Sequence, residues 1–269
     1  MANAPKVTLL VPAFNEPEHI LEQSLTSVMA QTFTDFECIV VDESTRPEAA
    51  QACQRICARD PRFRYIHPTE RLGLPGSLNL AISMARAKLL ARFDSDDICL
   101  PERLDVQVTF MDAHPDIGVV GAGLQLIDET GRPTAERHYP ERSDDIARKL
   151  HFTSTLAHPT VMYRTDIVKR FGGYDPTFRF AEDLDLWLRW LNRGVKFANV
   201  PEVLVKYRQA QTCRHPTHWR FNLRARVRNF GSSHLLRRVA GIACIGIWSI
   251  LPSIVQESIF RLMLLRDRP

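Results

Sequence analysis

Short apolar runs alternate with helical stripes over the first hundred residues. Residues 6–11 (KVTLLV) read as a buried strand that Pro12 ends, and residues 37–42 (ECIVVD) as a second one. Between them, Ile20, Leu21, Ser24, Leu25 and Val28 fall on one face of a helix. The pattern then predicts a helix near 47–59, a short strand at 63–66, a helix over 77–85 and a strand at 89–93 that ends on an acidic cluster. Strands alternating with helices predict an α/β fold, a Rossmann-like, mainly parallel central sheet with crossover helices. Ligands of such sheets bind beyond the carboxyl ends of the strands, which singles out residues 12–16, 42–44 and 94–97.

Farther on, residues 101–113 read as a helix, 117–127 as a strand and 128–132 (DETGR) as a turn. A strand near 159–163, a helix at 182–191 and a strand pair around 195–207 follow. From Trp219 the character changes: Arg220, Arg224 and Arg228 share a helical stripe, Arg237 and Arg238 follow, and residues 239–255 carry no charge. A bilayer core takes about 20 apolar residues to span, so this run, broken by Gly241, Gly246 and Pro252, suits an in-plane or re-entrant helix better than a full crossing. Packing against the body or another subunit is the alternative.

Charge sharpens the division. The net charge of +4 hides twelve Lys/Arg against two acids in residues 203–269, while residues 1–202 carry 23 basic and 29 acidic residues. A mildly acidic body over 1–210 and a basic, apolar, membrane-associating helical extension over 211–269 are therefore expected. Nucleic acid is disfavoured as partner, because no aromatic stacking platform accompanies the basic stripe. The six cysteines show no paired zinc spacing and read as buried free thiols in a reducing compartment. The first residues lack a basic start with an apolar run, so the expectation is the cytoplasm, at the inner face of the membrane.

Asp94-Ser95-Asp96-Asp97 is the sharpest chemical signal. Carboxylates packed so closely repel one another unless solvent or a hard divalent cation relieves them. Taken alone, such a cluster is also a common surface turn. It is joined, in order, by VTLLVPAFNE, QTFTDFECIVVDES, ERLGLPGSLNLAI, ARFDSDDICLPERL and AEDLDLWLRW. Together these segments, spread over residues 6–207, resemble the signatures of family-2 glycosyltransferases with the GT-A fold, of the bacterial surface-polysaccharide type.

The resemblance implies roles residue by residue. Pro12, Ala13, Asn15 and Glu16 would line the nucleotide pocket, and Asp42 would accept a hydrogen bond from the base. The family's Asp-Asp-Gly-Ser is here Asp42-Glu43-Ser44, without the glycine. Arg71 and residues 73–79 would approach the donor, as would Asp94 and Ser95. Asp94 and Asp96 would be the two acids of the DxD motif holding Mg²⁺ or Mn²⁺, with Asp96 in direct contact and Asp97 free to cap the next helix. Arg92 would pair with an acid or a phosphate. Asp183 of the Glu182-Asp183 pair would be the general base; both acids also suit the positive N-terminus of a helix. His158, Glu182, Trp187 and Arg208 would meet the acceptor or the diphosphate.

The implied reaction is inverting transfer of one sugar from a nucleotide sugar, most commonly a UDP-sugar in this family, to a hydroxyl of a lipid-linked glycan. Processive relatives carry Gln-x-x-Arg-Trp, whereas Leu186 precedes Leu188-Arg189-Trp190 here. A histidine that many relatives place after Tyr-Arg is replaced by Gln209, with His215 farther on. Two alternatives stay open: transfer to a polyprenyl phosphate, and a silent membrane-associated binding protein of the same fold. A dehydrogenase is disfavoured, since no Gly-x-Gly-x-x-Gly follows the first strand.

Overall fold

The computed structural model describes residues 4–209 and 217–251. Elements run in chain order as β1 (Val7–Ala13), α1 (Glu18–Met29), β2 (Phe36–Asp42), α2 (Pro47–Cys57), β3 (Phe63–Ile66), α3 (Gly73–Met84) and β4 (Leu89–Arg92). Next come β5 (Ile98–Cys99), α4 (Arg103–Ala113), β6 (Ile117–Ile127), β7 (Pro133–Arg137) and α5 (Ser143–Lys149). A 3₁₀ turn at His158–Thr160 leads to β8 (Met162–Arg164), α6 (Thr165–Phe171), α7 (Glu182–Asn192) and β9 (Lys196–Arg208). The tail supplies α8 (Thr217–Arg228) and α9 (Leu235–Ile250).

One sheet orders the strands β3-β2-β1-β4-β8-β6-β9-β5, with β7 hairpinned onto β6. The first four strands are parallel, as the alternation of strands and helices predicts. Beyond them β8 runs antiparallel to both β4 and β6, β6 and β9 are parallel, and β5 reverses. Alternation along β1 serves two cores: Val7, Leu9 and Val11 pack on the α1/α2/α4 side, and Leu10 on the α3/α7 side.

Several predicted boundaries shift for identifiable reasons. Pro12 lies inside β1, not at its end. The Leu10 carbonyl accepts from Phe93 on the β4 side and the Ala13 carbonyl from Glu43 on the β2 side, so Pro12 has the parity that faces β4. β4 has already ended there, and the missing N–H breaks no ladder. The predicted strand pair around 195–207 is one strand, because β6 pairs with both halves while Pro201 and Glu202 bulge out between Val200 and Val203. Asp97 does not cap the following helix: its Oδ1 accepts from the Arg208 backbone N–H at 2.8 Å, and the two-residue β5 intervenes before α4.

The tail helices are built into the molecule. Phe221 and Ala225 of α8 join the core on the α7 side. Arg228 pairs with Asp175, and the Arg224 guanidinium donates to the Thr177 carbonyl while lying 4.7 Å from the Phe178 ring centre. Buried Arg226 donates to the Leu150 carbonyl at 2.8 Å. α9 crosses so closely at Gly241 that a Cβ there would collide with the His151 carbonyl. Among the described residues no helix is long and apolar enough to cross a membrane. Pro252, residues 253–255 and His215 lie outside the described residues.

Candidate active site

The carboxyl ends of β1 and β4 and the loop before α7 enclose a cleft of about 610 Å³. Pro12, Ala13, Phe14 and Glu16 form one wall. Arg71 leans over the Phe14 ring at 4.0 Å and reaches Glu43 at 3.6 Å. Glu43, beside the expected Asp42, organises this wall. Its Oε2 accepts the Leu72 and Gly73 backbone N–H groups at 3.0 Å each, and its Oε1 accepts from the Ser77 hydroxyl. A carboxylate just past the end of β2 thus satisfies donors at the start of α3, and Gly73, at φ 68°, supplies the left-handed turn that aims them.

Asp42 and Asn15 hold this wall from behind and do not line the cleft. Fully buried Asp42 accepts from Tyr65 Oη and from the Ser44 N–H, both at 2.9 Å. Asn15, left-handed at φ 60°, accepts the Thr45 and Arg46 N–H groups at 3.0 Å and so staples the β1 loop to the β2 loop.

Asp94, Ser95 and Asp96 form the floor. Ser95 donates to Glu16 at 2.7 Å, tying the acidic loop to the β1 wall. Carboxylate oxygens of Asp94, Asp96 and Asp97 lie within 4.8 Å of one another. Burial, then the Asp94 charge, pushes Asp96 up to about 6, and the same causes push Asp97 well above the usual range. Asp97 Oδ2 is buried with no hydrogen-bond partner. Three hard oxygen donors under mutual repulsion are compatible with Mg²⁺ or Mn²⁺. Arg92, almost fully buried, pairs with Asp94, the acid partner expected of it, and it also lines the cleft.

Arg208 lies beneath this floor, outside the cleft. Its guanidinium donates to the carbonyls of Asp96 (3.0 Å), Asp128 (3.3 Å) and Glu129 (3.0 Å) and to Gln23 Oε1 (3.0 Å). Together with the backbone bond to Asp97, it clamps the acidic loop to the β6–β7 turn and to α1.

The opposite wall is His158, Pro159 and residues 179–183. Ala181 sits in the left-handed region at φ 57° at the start of α7, a conformation that costs an L-residue about 1–2 kcal/mol. Such strain is held where the surroundings over-determine it, and here it turns Glu182 and Asp183 toward the cleft. Glu182 is 7% exposed; burial, then the Asp183 charge, raises it to about 8. His158 Nδ1 lies 3.8 Å from Glu182, and its Nε2 lies 2.8 Å from Tyr174 Oη. Burial holds this imidazole well below its usual range, hence neutral. Trp187 does not reach the cleft: it packs in the core among His158, Tyr163, Trp190 and Phe197.

The expected residues that share one cleft are therefore Pro12, Ala13, Glu16 and Arg71; Gly73, Leu74 and Ser77 of the 73–79 segment; Arg92, Asp94, Ser95 and Asp96; and His158, Glu182 and Asp183. Asn15, Asp42 and Arg208 support it, and Trp187 lies below it. Sequence reasoning missed Glu43, Phe14, Tyr207, Arg179, Phe180 and His218. Glu43 stood inside a quoted segment, whereas His218 arrives from the tail helix α8 and had no signal.

Residues 8–172 match the family described as glycosyl transferase family 2. The chain is 34% identical over 202 residues to the O-antigen biosynthesis glycosyltransferase WbnJ of Escherichia coli, covering 74% of this chain and 78% of WbnJ. It is 32% identical over 203 residues to the amylovoran biosynthesis glycosyltransferase AmsE of Erwinia amylovora, covering 75% of each. Its fold resembles Staphylococcus aureus TarS 1-349 in complex with UDP-GlcNAc, at TM-score 0.69 and 20% identity over 89% of this chain and 71% of that one. It also resembles the mannosyltransferase PcManGT of Pyrobaculum calidifontis in complex with GDP-Man and Mn²⁺, at TM-score 0.65 and 18% identity over 98% and 81%. Of the longer TarS chain it spans 42%.

Proposed function

The chain belongs to glycosyl transferase family 2 and is a glycosyltransferase, and on that premise we propose that it moves a single sugar, with inversion, from a nucleotide sugar to a hydroxyl of a lipid-linked glycan in polysaccharide assembly. The observation that carries this reading is the single cleft in which the Asp94–Asp96 floor faces the Glu182–Asp183 wall. UDP-GlcNAc and GDP-Man in the related structures, and the O-antigen and amylovoran relatives, support the donor and the pathway class.

The nucleotide would lie along Pro12–Phe14 beside Arg71, whose guanidinium is held over an aromatic face and against Glu43. Asp96 and Asp94 would hold Mg²⁺ or Mn²⁺, which when bound supplies Lewis-acid neutralisation of the diphosphate. Arg92 keeps Asp94 oriented from below.

Asp183 would take the proton from the acceptor hydroxyl as it attacks the anomeric carbon opposite the leaving diphosphate. Glu182 is a poor rival for that role, because it retains its own proton near neutral pH. Neutral His158 adds no charge to the wall and fixes the Glu182 side through its contact with Tyr174. Leu186 in place of the processive glutamine supports addition of one sugar per acceptor. The acceptor's lipid would place the enzyme at the inner face of a membrane.

A thermal-shift screen of nucleoside diphosphates and nucleotide sugars, with and without Mn²⁺, tests the donor assignment. A ligand at one hundred times its Kd should stabilise the fold by about 2.7 kcal/mol. Asp96→Asn should abolish the Mn²⁺ dependence. No stabilisation by any nucleotide would reject the reading.

A further inference from the structure

α9 is oriented contrary to a surface helix of a water-soluble body. Its body-facing stripe is Arg238, Gly241 and Ile245, and Arg238 is buried against the Asn229 carbonyl and Asn192. Its outward face carries Leu236 (85% exposed), Val239 (52%), Ile247 (61%) and Ile250 (80%), with Ala240, Ala243 and Cys244 between them. At 100° per residue these positions form one contiguous apolar arc, bordered by exposed Arg237. Large outward apolar patches mark interaction surfaces.

We infer that this face docks in the plane of an anionic bilayer. Of the six arginines in residues 217–250, Arg226 and Arg238 are buried and Arg228 is paired with Asp175, which leaves Arg220, Arg224 and Arg237 exposed with no acid in the segment, so the exposed charge of the two helices is positive. An α9-to-α9 contact between two copies would bring together two helices that each carry an exposed arginine and no carboxylate to pair with it. An anionic lipid surface matches both the apolar arc and the charge at its border. Sixteen residues span about 24 Å of helix, too short to cross the hydrocarbon core, so the helix lies in the interface.

The same tail builds the cleft. α8 supplies His218 to the cleft wall and is pinned to the loop at 175–178 through Arg224 and Arg228. α9 packs on α8 with Trp248 against Trp219, ring centres 5.8 Å apart. Docking α9 therefore holds the cleft at the lipid surface. What docking is for rests on the lipid-linked acceptor proposed above; docking itself does not.

The test is co-sedimentation of the full chain with phosphatidylcholine vesicles with and without phosphatidylglycerol, alongside the double variant Leu236→Glu/Ile247→Glu. Both side chains are solvent-facing, so the variant should fold, and its nucleotide binding, measured separately, should match the parent. The parent should bind anionic vesicles roughly tenfold better than neutral ones, and the variant should lose roughly tenfold or more. Equal binding by parent and variant, or no binding of the folded parent to either vesicle, overturns the inference. So does a dimer in light scattering that the double substitution dissolves, since the face would then belong to a second copy. Nucleotide binding that fails in the parent would instead sink the transferase site and leave the docking result standing.

Discussion

Two residues of the cleft wall carry consequences that a generic acidic cleft would not. Glu182 has a folded-state pKa raised to about 8 against an ordinary value of 4.5. Its contribution to stability is full below the ordinary value and is lost as pH rises through the shifted one. Melting temperature should therefore decline between those limits in the parent, and Glu182→Gln should flatten that part of the profile. An unchanged profile would show that Glu182 is not held protonated. Ala181 at φ 57° makes a second case. Ala181→Gly should relieve backbone strain and raise stability by up to about 1 kcal/mol, while lowering kcat because Asp183 is held less firmly. A variant with unchanged kcat would detach the strain from catalysis.

At the level of elements, the acidic floor depends on a clamp that lies outside the cleft. Arg208 at the end of β9 binds the Asp96, Asp128 and Glu129 carbonyls and Gln23, with its backbone on Asp97. Arg208→Ala should weaken Mn²⁺ binding, read by calorimetry on the unloaded protein, about tenfold, and Arg208→Lys should rescue little, because one ammonium cannot span the fork of acceptors. Equal Mn²⁺ affinity in the alanine variant would reduce Arg208 to a bystander.

Helices of the parallel half were legible because each has one period and one buried face, and β1, β2 and β4 because each is a short apolar run buried on both faces. The α1 stripe Ile20, Leu21, Ser24, Leu25 and Val28 is the buried set observed. What escaped depended on distant partners. Gly73 begins α3 because Glu43 reaches it from the loop after β2, and residues 195–207 form one strand because β6 pairs across the Pro201–Glu202 bulge. Asp42, chosen by motif, proved internally satisfied, and its neighbour Glu43 faces the cleft. Trp187 followed the same logic: its place in a motif said nothing of which side of α7 it would occupy.

For the whole molecule, the tail is part of the packed body and of the cleft wall as well as an appendage. Phe221 and Ala225 complete the core under α7, and Asn229 donates to buried Asp185 at 2.8 Å. Removing residues 217–269 should expose this core, and the shortened chain should unfold at lower temperature and bind nucleotide more weakly. A truncated chain with parental melting temperature would show that the body folds independently. The central claim, however, is that one cleft both holds a nucleotide sugar and removes a proton through Asp183. The most direct measurement follows transfer of labelled sugar to lipid-linked glycan from bacterial membranes, beside donor affinity, for the parent and Asp183→Asn. Transfer should fall by about 10²–10⁴-fold with donor affinity essentially unchanged; full transfer by the variant, or equal loss of donor binding, would contradict the account.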